Sequence, residues 1–163
     1  LRPDDFIHFR HPVEQHMAPA KPAKHRKKMF TVDEANRALP LVSQIVGDIV
    51  RQWEIVSDLE QRLSAVTRRA PKERQGDVYD EEVAQSQSAL DLERAKLQSY
   101  IEEVKDLGIE LKGFDGLCDF PSVRDGREVY LCWRLGEPEV CFWHEIHTGF
   151  AGRQPLRPEP IAV

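Results

Sequence analysis

Cysteine is scarce and poorly spaced for any framework. The 163-residue chain has 3, an odd number, with no CxxC pair, so neither a disulfide scaffold nor a thiolate zinc ribbon is written into it. No Gly-rich phosphate loop and no HExxH helix is present. No Ser-His-Asp or Cys-His set can be read from spacing. Long apolar runs are absent as well: none approaches the roughly 20 residues needed to cross a bilayer, and the N-terminus has no signal-like apolar stretch. These absences lead to the expectation of a cytoplasmic protein in a reducing setting, with no membrane partner.

What is present is enough for one core and too little for two, at 40% hydrophobic and 31% charged residues. Charge is uneven. Residues 1–29 hold seven Lys/Arg against three Asp/Glu (+4), which leaves −9 on the rest of a chain whose net charge is −5. The basic run from Lys21 to Lys28 is interleaved with Pro and Ala, so residues 1–29 are read as a disordered basic tail. Nucleic acid or acidic lipid would be contacted only through that tail. Residues 30–156 form the expected single domain, and 157–163 a C-terminal tail.

Helical order begins at Thr31, which with Glu34 has the spacing of a capping box. Apolar residues follow at Ala35, Leu39, Val42, Val46, Ile49, Trp53, Val56, Leu63 and Val66, with Glu60 as the polar intruder, predicting one long amphipathic helix to about Arg69. Pro40 predicts a bend near Leu39, or a short helix followed by a long one. Pro71 and Gly76 mark a reversal. A second helix is predicted from about Glu81 to Leu107, stopped by Gly108 and weakened along its seam by Ser86, Gln87, Arg94 and Lys96.

From Leu117 the period falls to two. Asp125-Gly126 is read as a type I′ turn and Gly136-Glu137 as a type II′ turn, giving strands Leu117–Val123, Glu128–Leu135 and Pro138–Glu145. The expected fold class is α+β: a long antiparallel helical hairpin packed on a three-stranded antiparallel β-meander. In this register Leu131 faces Phe120 and Phe142, Trp133 faces Cys118 and Val140, and Arg134 faces Glu139 as an ion pair. His144 then lies on the helix-facing side beside Val129. Asp119, Tyr130, Cys132, Cys141 and Trp143 share the other face, Glu128 opposes Glu145, and Cys132 opposes Cys141, where a cross-strand disulfide is geometrically allowed although two free thiols fit a reducing compartment better.

The stretch Arg127 to Arg153 gathers two of the three Trp, two of the three Cys and two of the six His, so the site is expected there. The candidates for catalytic work are His144, Glu145 and Glu128, with His144 and Glu145 as metal ligands; a divalent metal is the one cofactor the pattern admits. Asp119, Trp143 and Arg153 are the candidate ligand-binding groups. Gly149 and Gly152 allow the chain to fold back, with Phe150 as a buried anchor and Arg153 as a cation opposite Glu145 or a bound anion.

The runs FTVDEANRALPLV from Phe30 to Val42, GLCDFP from Gly116, GREVYLCWRLGEPE from Gly126, WHE from Trp143 and GFAGRQP from Gly149 together resemble the bacterial and archaeal family DUF2203. The resemblance covers about Phe30 to Leu156. It implies no reaction, since that family has none assigned. Its pattern takes in Asp119, Trp133, Glu137, Trp143, His144, Glu145 and Arg153. Two function classes follow. One is a small binding or regulatory module whose helical hairpin pairs with a second copy, as a homodimer, or with another protein. The other is a small metal-assisted hydrolase with its site at the end of the sheet.

Overall fold

The computed structural model describes residues 27–69 and 76–157. The connection between the helices at 70–75, most of the basic tail (1–26) and all of the C-terminal tail except Arg157 lie outside the described residues. The capping box forms as its spacing predicts: the Glu34 N–H donates to Thr31 Oγ1 at 3.2 Å, and the Thr31 N–H donates to Glu34 Oε2 at 2.8 Å. Helix α1 then runs over Val32–Arg69, 38 residues, and passes through Pro40 as a single helix, so the short-then-long alternative is not formed. Helix α2 spans Asp77–Asp106 and begins several residues before the predicted Glu81. Its end is the predicted one. Gly108 takes φ +84°, its N–H reaches the Lys105 carbonyl, and the Ile109 N–H reaches back to Val104, the paired bonds of a Schellman cap.

One of the polar residues that weaken the seam finds a partner across it. Glu60, the intruder on α1, pairs with Arg94 of α2 at 2.6 Å, and the buried Gln52 amide donates to the Glu93 carbonyl at 3.2 Å. The proximal half of the hairpin buries Ala35, Leu39, Val42, Val46, Ile49 and Val56 with Leu90, Leu97 and Val104. This apolar face rests on Cys118, Phe120, Leu131 and Trp133 of the sheet. Trp53 also stacks on Phe114, with ring centroids 4.1 Å apart and planes within 8°.

The sheet has five antiparallel strands, not three, in the order β1-β2-β3-β4-β5. They are β1 Glu110–Leu111, β2 Leu117–Arg124, β3 Arg127–Arg134, β4 Phe142–Glu145 and β5 Gln154–Pro155. The two additions are only two residues long, too short to carry a period of two. Pairing of β2 with β3 follows the prediction, with Cys118 opposite Trp133 and Phe120 opposite Leu131 across an Asp125-Gly126 turn in which both residues have positive φ.

The β3–β4 pairing differs from the prediction by one residue. Val129 faces Glu145, Tyr130 faces His144, Leu131 faces Trp143 and Cys132 faces Phe142. The reason is Pro138. A two-residue turn on Gly136-Glu137 would need a backbone donor at position 138, and proline has none. The turn forms one residue earlier instead, closed by the Glu137 N–H on the Arg134 carbonyl at 3.0 Å, with Gly136 (φ +99°) in the third place, where type II turns require positive φ. The chain then leaves the ladder. Val140 gives its N–H to Asn36 Oδ1 of α1 at 2.8 Å and is buried in the core, and pairing with β3 resumes only at Phe142.

A slip of one residue exchanges the faces of β4. His144 moves to the outer face with Asp119, Tyr130 and Cys132, while Trp143 turns to the helix side opposite Leu131. Three paired expectations fall with it, while all three cysteines are free thiols as a reducing setting favoured. Glu145 faces Val129 rather than Glu128, and Cys132 faces Phe142 rather than Cys141. Arg134 pairs with Asp115 at 3.1 Å rather than with Glu139.

Candidate functional site

The outer face of the sheet gathers its polar groups at the middle strands. On β2, Asp119 lies between Glu110 of β1 and Cys132 of β3, and His144 enters from β4 beside Tyr130. His144 and Asp119 are each only 2% exposed and Cys132 is fully buried. One ligand atom from each of the three lies within 4.8 Å of the other two.

The hydrogen bonds constrain the protons. His144 Nδ1 is 2.8 Å from the Glu145 carbonyl oxygen, which only accepts, so Nδ1 carries a hydrogen and donates. His144 Nε2 is then 3.1 Å from Asp119 Oδ2, a lone pair facing a carboxylate unless a positive charge lies between or upon them. Asp119 Oδ1 is buried and has no hydrogen-bond partner among the described residues. Burial, with the Asp119 charge nearby, pushes the Cys132 thiol up to about 12.

A second polar layer borders this cluster. Lys112 Nζ stands 3.8 Å from Asp119 Oδ2 and 2.6 Å from Glu110 Oε2, and the Tyr130 hydroxyl donates to Glu110 Oε1 at 2.7 Å. Lys27 donates to that hydroxyl at 3.1 Å, so the end of the basic run lies against the sheet. Partial burial raises the Glu110 carboxyl, but the bonds from Lys112 and Tyr130 outweigh it and hold the group below its ordinary value.

The family model described as "Uncharacterized conserved protein (DUF2203)" matches residues 28–156. The chain belongs to the DUF2203 family. No curated protein and no solved structure matches it.

Within this DUF2203 domain the predicted site residues separate. Asp119 and His144 are brought together, although the expected register had placed them on opposite faces. Glu145 contributes its backbone carbonyl to His144, while its side chain shares a hollow of about 220 Å³ with Arg124, Arg127, Val129 and Trp143. Glu128 is exposed on another part of the sheet. Trp143 carries the Arg124 guanidinium over its ring at 4.8 Å. Arg153 pairs with Glu137 Oε2 at 2.5 Å, not with Glu145, and also donates to the Cys132 carbonyl at 3.3 Å. Phe150 is 40% exposed, so it is not the buried anchor that the loop spacing suggested.

Cys132 is the member of the DUF2203 cluster that spacing had left out as a ligand. Its signal was already present, since strand alternation puts Asp119, Tyr130 and Cys132 on one face; only His144 had to be moved. Glu110 and Lys112 gave no such signal, because β1 has no periodicity to read.

Proposed function

We propose that this DUF2203 domain is a small binding or regulatory module that self-associates through the distal arm of its helical hairpin. One observation carries this reading. Among the described residues, none of α1 after Val56 and none of α2 before Leu90 is buried, so the hairpin beyond that point is supported only by its own two helices. At 1.5 Å per residue the arm from Ser57 to Arg69 is about 20 Å long. Helices of this length standing in water are marginal without tertiary packing.

An apolar stripe runs from the last supported turn of α1 into the arm. Ile55 and Val66 are about half exposed, and Leu59 and Leu63 lie between them at helical spacing, partly covered. Val78 is 81% exposed on α2. A second copy laying its arm against this one would make a four-helix bundle and bury both stripes. The other reading, a metal-assisted hydrolase at the end of the sheet, drew on His144, Glu145, Glu128 or Asp119; Asp119 and His144 meet, whereas the Glu128 and Glu145 side chains stand outside that cluster.

Multi-angle light scattering on the full chain from about 1 to 100 μM tests the proposal. A dimer mass is expected, with the double variant Ile55→Glu/Val66→Glu monomeric and its near-UV circular dichroism retained. A monomer mass across the whole range overturns the reading.

A further inference from the structure

We infer that Asp119, Cys132 and His144 form a site for one thiophilic divalent transition-metal ion of the zinc class, buried in the outer face of the sheet. This is independent of self-association through the hairpin. The argument starts from His144. Its Nδ1–H bond to the Glu145 carbonyl is the arrangement that orients a metal-binding imidazole and leaves Nε2 free as the donor atom. That Nε2 points at Asp119 Oδ2 from 3.1 Å. Two ligands at about 2.0–2.1 Å from a tetrahedral ion stand about 3.4 Å apart, so this pair already has close to the right separation.

A proton on Nε2 would satisfy the His144–Asp119 contact alone. It would leave Asp119 Oδ1 an unpartnered acceptor in a residue 2% exposed, with the Cys132 thiol engaged only as a weak donor to the Asp119 carboxylate. An ion uses all three groups. It also balances the charge: a carboxylate, a thiolate and a neutral imidazole around a dication sum to zero, which is what a sealed, low-dielectric position favours. Lys112, 3.8 Å from Asp119, need not move, since Glu110 already holds it at 2.6 Å.

The donor set fixes the kind of ion. One sulfur, one nitrogen and one carboxylate oxygen suit zinc and its neighbours, whereas magnesium and calcium require shells of oxygen. All three ligand atoms lie within 4.8 Å of one another, against about 3.6 Å between sulfur and a nitrogen or oxygen on one tetrahedral zinc, so side-chain shifts of about 1 Å at most close the site. Three protein ligands leave a fourth position for water or a small anion.

The test uses the untagged full chain, incubated with zinc, dialysed and analysed by plasma mass spectrometry, and separately titrated with cobalt(II) alone. One zinc per chain is expected, together with a thiolate-to-cobalt charge-transfer band that is lost in Cys132→Ala and kept in Cys141→Ala. His144→Gln should lower zinc affinity at least 100-fold. Because these side chains are buried and a variant could fail to fold, wild-type protein is also melted with and without a chelator, and the metal-loaded form should melt higher. Three outcomes overturn the inference: folded wild-type protein without stoichiometric zinc and without the cobalt band, a band that survives in folded Cys132→Ala, or a melting temperature indifferent to the chelator.

Discussion

Arg153 makes four contacts at once. Its guanidinium pairs with Glu137 at 2.5 Å, donates to the Cys132 carbonyl at 3.3 Å, and lies 4.0 Å from the centroid of the Phe142 ring and 5.1 Å from that of Phe150. Its side chain is 14% exposed. Glu137 in turn accepts the Arg134 N–H at 2.9 Å, so this ion pair fastens the C-terminal segment to the β3–β4 connection. Truncating Arg153 to Ala therefore removes packing as well as charge and leaves the Glu137 carboxylate without its cation. Urea melts of Arg153→Ala should show a loss of about 2–3 kcal/mol, with Phe150→Ala losing about 1 kcal/mol or less because its ring is already partly in water. A larger loss in Phe150→Ala would reverse this ranking. Spacing alone suggested that reverse order, since a Gly-Phe-Ala-Gly-Arg loop shows that a phenylalanine is free to fold inward but not whether a cation reaches the space first.

At the scale of elements, the entry to β2 is packed closely against its neighbours, Leu135 and the Val46 side chain of α1. Gly116 sits at φ +85°, and a Cβ there would lie 2.5 Å from Leu135 Cβ and 3.4 Å from Val46 Cγ1. Gly116→Ala should thus lower stability by about 2 kcal/mol or more through backbone strain and overlap, measured as a shift of the denaturation midpoint. An unchanged midpoint would mean that β2 and Leu135 can separate freely. Replacing Asn36 by Ala should cost about 1–3 kcal/mol, because the N–H of buried Val140 loses its acceptor; a loss below that range in the same melts would show that water replaces the amide. The elements themselves were legible to different degrees. Both helices could be read from the apolar period, the Thr31–Glu34 box and Gly108, and the β2–β3 hairpin from Asp125-Gly126. The third long strand was misplaced because Gly136-Glu137 was judged without the missing donor of Pro138. The acceptor that draws Val140 out of the ladder is a side chain more than a hundred residues earlier, which no local pattern contains. Of the candidate site, Asp119 and His144 were found and their meeting was not.

For the whole molecule, titration sets a window of stability. Glu110 is held below its ordinary 4.5 in the folded state, so what it contributes is present above about pH 4.5 and is lost as pH falls through the lower folded value. Burial raises Cys118 from 9.0 to about 12, so the stability tied to its neutral thiol is present below pH 9 and is lost as pH rises toward 12. Melting temperature against pH should form a plateau between these limits. Glu110→Gln should flatten its acid side, and an acid side of unchanged slope in that variant would show that other carboxylates govern it. Neither limit involves the arm beyond Val56 and Leu90, which contributes no buried residue among those described.

The connection from Leu135 to Cys141 has one further consequence, which concerns parity. Side chains alternate across a strand, so the count of residues between β3 and β4, odd or even, decides which side of the sheet His144 occupies. Removing one residue there would carry His144 from Asp119 to the helix layer and Trp143 outward, whereas removing two would restore the facing and disturb only the loop. Within this connection, sequence change is filtered by number before it is filtered by identity: lengths that differ by two are interchangeable in facing, and lengths that differ by one are not.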